Sequence, residues 1–98
     1  MPADARTPEY QAAVGISWVV QNRGVQVIDE IARRSETLTY PQAAVWELIL
    51  RGRDPAGAAC MTQWIAGIAV EEAQALVARC IGEWTEAGWI QRTDIGNG

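Results

Sequence analysis

Carboxylates cluster at Asp29-Glu30 and Glu71-Glu72, and the chain's two thiols are Cys60 and Cys80. Hydrolysis by a carboxylate pair, as in glycosidases, needs the two groups facing each other across a cleft. Neighbours in sequence point in different directions from a strand or a helix. The two acidic pairs therefore read as a solvated strand end and as the first turn of a helix, where the dipole favours negative charge. A single C-x19-C pair is neither a metal motif nor a disulfide framework. Both cysteines stand in apolar, helix-like surroundings and are expected as buried core thiols. There is no His and no Lys in the chain. A histidine general base, a histidine metal ligand and a Schiff-base lysine are therefore excluded. No catalytic, cofactor-binding or metal-ligating residue is assigned, and the expectation is a binding domain that is not an enzyme.

The elements that would carry such a binding site fit one compact domain of 98 residues, 49% of them hydrophobic. No apolar run reaches the length of a membrane span. The opening Met1-Pro2-Ala3-Asp4-Ala5-Arg6 lacks the layout of a secretory signal, so a cytoplasmic location is expected. Residues 1–14 read as a flexible N-terminal arm, 15–92 as the domain and 93–98 as a tail.

From Gly15 the pattern becomes strand-like. Ile16, Trp18 and Val20 alternate, Gln21-Asn22-Arg23-Gly24 signals a turn with Gly24 placed for a positive φ, and Val25, Val27 and Ile31 resume the alternation. The spacing predicts a hairpin over 16–21 and 24–31. Arg33-Arg34-Ser35-Glu36 reads as the next turn, and Thr37-Leu38-Thr39-Tyr40 as a short third strand stopped by Pro41. A first helix is predicted over 41–51, with Ala44, Val45, Trp46, Leu48 and Ile49 as its apolar stripe. Asp54-Pro55 supplies an N-cap and N1 pair for a second helix reaching Ala66, with Cys60, Trp64 and Ile65 as its expected core. After Gly67 a third helix begins near Val70. Ala73, Val77, Cys80 and Trp84 share one face of it, with Leu76 and Ala87 on one flank and Ile81 on the other. Gly88 ends this helix, and Trp89-Ile90 form a short extended piece. The predicted fold is α+β: a three-stranded antiparallel sheet followed by three helices, a variant of the winged helix-turn-helix.

The order and spacing of these parts resemble the PqqD-like family, the RiPP recognition elements. The resemblance rests on Trp18-Val19-Val20…Val25-Gln26-Val27-Ile28, on Leu38-Thr39-Tyr40-Pro41…Val45-Trp46-Glu47-Leu48, and on Glu86-Ala87-Gly88-Trp89-Ile90. It spans about residues 15–92. Thr39 departs from the family's usual Asn or Asp, and residues 55–69 depart from its acidic-apolar second helix. The resemblance implies a peptide chaperone that binds the leader of a ribosomally made precursor peptide beside strand three, against helix three. It further implies delivery to a modifying enzyme, often a radical SAM protein, as in pyrroloquinoline quinone (PQQ) biosynthesis.

The residues themselves are compatible with such a site. Strand three lies at a sheet edge and lacks an internal charge or proline that would blunt it. A peptide pairing there gains main-chain hydrogen bonds whatever its sequence. The expected peptide-binding residues are Thr37, Leu38, Thr39 and Tyr40 on the strand, with Glu72, Leu76, Arg79, Cys80 and Glu83 on helix three. Leu38, Tyr40 and Leu76 fit a core role equally well on pattern alone. The winged-helix alternative is a DNA-binding regulator. The net charge of −4 falls wholly in residues 54–98, and helix three carries Glu71, Glu72, Glu83 and Glu86 against Arg79. That balance opposes phosphate contacts, so no nucleic-acid partner is expected. A dimerisation or scaffold domain using Trp64 or Trp89 stays open, and the expected state is a monomer or weak homodimer with no membrane partner.

Overall fold

The computed structural model describes residues 9–93. Its elements are β1 (Tyr10–Ala12), β2 (Ile16–Gln21), β3 (Gly24–Asp29), β4 (Arg34–Thr39), α1 (Gln42–Leu50), α2 (Pro55–Ala66), α3 (Val70–Glu86) and β5 (Ile90–Arg92). The main sheet is antiparallel in the order β2-β3-β4, and β1 pairs with β5 in a second, two-stranded sheet. The predicted α+β arrangement of a three-stranded antiparallel sheet followed by three helices is the observed one. Among the described residues no helix is long and apolar enough to cross a membrane.

The sheet differs from expectation in three details. First, β3 ends at Asp29, because the Asp29 carboxylate accepts the N–H groups of Ile31 and Ala32 at 3.1 and 3.0 Å and turns the chain. Ile31 is consequently 72% exposed instead of continuing the strand. Second, the turn closes at Arg33, which has a left-handed φ of 60°, so Arg34, Ser35 and Glu36 belong to β4. Third, Gly24 does not have a positive φ. A Cβ there would run into the Leu38 carbonyl oxygen, so glycine is needed for the close approach of β4.

Tyr10–Ala12 form a strand in the segment expected as a loose arm. Its register places Tyr10 opposite Arg92 and Ala12 opposite Ile90. The rest of that arm, residues 1–8, and the tail residues 94–98 lie outside the described residues.

The helices start and stop as the sequence indicates. The Asp54 side chain accepts the Gly57 N–H at 2.7 Å, Pro55 opens α2, and Gly67 closes it in the left-handed conformation. Glu71 and Glu72 occupy the first turn of α3. The inward face of α2 differs from expectation, however. Ala58, Ala59 and Thr62 are buried there, whereas Cys60, Met61, Trp64 and Ile65 face outward. The α2 residues that pack inward are thus mainly small.

Trp46, fully buried on α1, stands at the centre of the core. Three other tryptophans meet it edge to face: Trp18 of β2 at 5.7 Å, Trp84 of α3 at 5.1 Å and Trp89 at 6.2 Å between ring centroids. Val25, Val27, Ile49, Val77 and Ile90 fill the space around them.

Candidate functional site

The open edge of β4 follows from the ladder pattern. The Glu30 N–H donates to the Gly15 carbonyl at 2.9 Å, continuing the register in which Ser17, Val19 and Gln21 face Ile28, Gln26 and Gly24. Hydrogen-bonded and non-bonded pairs alternate along an antiparallel ladder. The even-numbered residues of β3 therefore bond to β2. Val25, Val27 and Asp29 turn their main-chain groups toward β4, where they face Leu38, Glu36 and Arg34. The N–H and C=O groups of Ser35, Thr37 and Thr39 consequently point away from the sheet. Among the described strands none pairs with this side of β4.

Side chains sort by the same alternation. Leu38 and Glu36 lie opposite the buried Val25 and Val27, so with Arg34 they project toward the helices. Ser35, Thr37 and Thr39 project from the opposite face, where the Gln26 amide donates to the Ser35 hydroxyl at 3.4 Å. Leu38 is half-buried against the core. Tyr40 follows the strand, is 48% exposed, and its hydroxyl lies 3.5 Å from the Glu47 carboxylate.

A cavity of about 590 Å³ opens beside the first half of β4. Val27, Asp29, Arg34 and Glu36 line it from the sheet, and Ala87 and Trp89 line it from beyond the end of α3. Gly88, with φ of 81°, lets the chain reverse so that the Trp89 N–H returns to the Trp84 carbonyl at 2.9 Å. That reversal sets Trp89 between the cavity and Trp46. Glu72, Leu76, Arg79, Glu83 and Ala87 succeed one another at three- or four-residue steps, which places them along one flank of α3. The flank ends at Ala87, on the cavity wall.

Two of the helix residues expected at the site are core residues instead. Leu76 is 7% and Cys80 2% exposed, because α3 turns this part of its surface into the packing against α1 and α2. Neither lines the cavity. Burial pushes the Cys80 thiol up to about 11, with Arg79 opposing and Glu83 adding to the shift, so it stays protonated at neutral pH. Glu72, Arg79 and Glu83 are exposed. The cavity brings in Arg34, Glu36, Ala87 and Trp89, which sequence reasoning did not assign to the site. The charged Arg33-Arg34-Ser35-Glu36 run resembles a turn, although Arg34, Glu36 and Leu38 already show a two-residue period. No group of His, Cys, Asp or Glu side chains suited to a metal ion occurs among the described residues.

No protein-family model matches the chain, and no curated protein matches it. Among solved structures it is similar to a lasso peptide synthetase B1 complexed with the leader peptide. The TM-score is 0.73 at 20% sequence identity, and the match covers 85% of this chain and 98% of that one. At this identity the likeness is one of fold: a three-stranded antiparallel sheet followed by three helices.

Proposed function

We propose that this protein is a non-catalytic peptide chaperone. It binds the leader region of a ribosomally synthesised precursor peptide by strand addition at β4 and presents it to a modifying enzyme. One observation carries the reading: the outward main-chain groups of Ser35, Thr37 and Thr39 form an unpaired edge beside a cavity walled by Trp89. An extended peptide satisfies those groups whatever its sequence, and its inward side chains meet Glu36, Arg34 and Trp89. Glu72, Arg79 and Glu83, on the α3 flank that ends at the same cavity, are placed to meet charges on the peptide. The structural neighbour, itself complexed with a leader peptide, supports this class of partner. The PqqD-like resemblance supports the same class and adds a peptide-modifying enzyme, of radical SAM type in some pathways, as the second partner.

The test is an NMR titration with synthetic peptides copied from the N-terminal halves of short open reading frames flanking the gene. Shifts should concentrate at residues 34–40 and 87–89. Thr37→Pro removes an outward N–H and should weaken binding by about 1 kcal/mol or more, roughly fivefold, with the fold retained. Thr37→Val, which keeps that N–H, should bind as the wild type does. Shifts confined to other surfaces, or equal affinities for the two variants, would refute strand addition.

A scaffold or dimerisation role has one observation in its favour: Trp64 is 83% exposed on a helix that carries no charged residue. Sedimentation of the wild type against Trp64→Ser separates that reading, since only a dimer held by α2 would dissociate.

A further inference from the structure

We propose that the groove between α1 and α2 is a second pocket for the same peptide, taking one large apolar side chain just beyond the Thr39 end of β4. The inference rests on the strand-addition reading and adds a specificity element to it. Its first support is position. Tyr40 and Pro41 line the groove and directly follow Thr39, the last residue of β4. A chain paired along Ser35, Thr37 and Thr39 and continued straight therefore reaches these two lining residues.

The second support is chemistry. Ala44, Leu48 and Ile65 make apolar walls around a groove of about 790 Å³. The charged groups at its edge, Glu47 and Arg51, lie 3.6 Å apart and are paired with each other. Ile65 is 55% exposed, so its side chain gains burial when an apolar group is laid on it. The groove is thus matched to an aromatic or large aliphatic residue, in contrast to the charged cavity at the Arg34 end.

The third support is parity. In an added strand the residues opposite Glu36 and Leu38 point toward the helices, and so does the residue that comes opposite Tyr40. The apolar anchor must therefore stand an even number of residues, four or six by this geometry, from the side chain that enters the cavity beside Arg34 and Glu36. An odd spacing turns one of the two side chains to the other face of the sheet.

A phage-displayed library of 12-residue peptides, panned on the wild type, supplies the probe. The most enriched sequence is then titrated by fluorescence anisotropy against wild type, Ile65→Glu and Thr37→Pro. Ile65 is exposed, so Ile65→Glu should keep the fold, which its thermal midpoint checks. The enriched peptides should share a large apolar residue at an even distance from a second selected position. Ile65→Glu should weaken the chosen peptide by about tenfold. Replacing the anchor by Ala should cost the wild type a similar factor and Ile65→Glu little more, which is the signature of contact. If Ile65→Glu binds as tightly as the wild type while Thr37→Pro abolishes binding, the groove proposal fails and strand addition survives. If Thr37→Pro leaves binding unchanged, or no peptide is enriched, strand addition fails and the proposal with it. If Ile65→Glu only converts a dimer to a monomer, the groove belongs to a second copy and the proposal is overturned.

Discussion

The two cysteines show how completely local packing decides chemical character. Cys60 and Cys80 sit in sequences that look equally apolar, yet the first is exposed on α2 and the second is buried on α3. A thiol reagent should modify one cysteine in the native protein and both in denaturant. For Cys80 the folded thiol titrates at about 11 against 9.0 in the open chain. The unfolded chain therefore loses its proton first as the pH rises. The contribution is whole below pH 9 and declines as the pH approaches 11. The thermal midpoint should fall over that window, and less so in Cys80→Ala. Measuring both proteins between pH 8 and 11 isolates the Cys80 thiol from every other group, since the two share the rest of the chain.

At the scale of elements, β4 is held in place by the absence of a side chain. Gly24 lies under the Leu38 carbonyl, so Gly24→Ala should push β4 from the hairpin and cost about 2 kcal/mol, as overpacked sites do. Denaturant unfolding would measure that loss, and peptide affinity should fall with it because the edge itself is displaced. The hairpin, the second half of β4 and the three helices were legible because period-2 and period-3.6 patterns run through stretches such as Ile16–Val27 and Ala73–Trp84. The orientation of α2 was not, for a physical reason. Residues 55–66 contain no charged side chain, so the helix has little amphipathic contrast, and Ala58, Ala59 and Thr62 turned inward instead of the larger residues. Strand β1 leaves no pattern in the sequence, because it is three residues long and its partner β5 lies at the other end of the domain. The edge position of β4 was readable from strand order, but its expected lack of internal charge was not met, because Arg34 and Glu36 belong to the strand. The cavity was not readable, since Trp89 reaches it only through the reversal at Gly88.

Across the whole molecule, Trp46 joins elements that are otherwise separate in sequence: β2 through Trp18, α3 through Trp84, and the closing segment through Trp89. Trp46→Ala should cost about 3–5 kcal/mol, a large part of the roughly 5–15 kcal/mol that holds a small domain together. Calorimetry should show a single transition displaced to much lower temperature, or none. Trp89 sits between this hub and the cavity, so peptide binding should also register in the intrinsic fluorescence of the cluster. The β1–β5 pairing has a different consequence. Thr93 donates its N–H to the Glu9 carbonyl at 2.9 Å, so the chain enters and leaves the domain at one point. The fold is closed at that point by the β1–β5 ladder, whose Ile90 is packed into the core. It could be spliced as a unit into a surface loop of a host protein, with the open edge of β4 left uncovered.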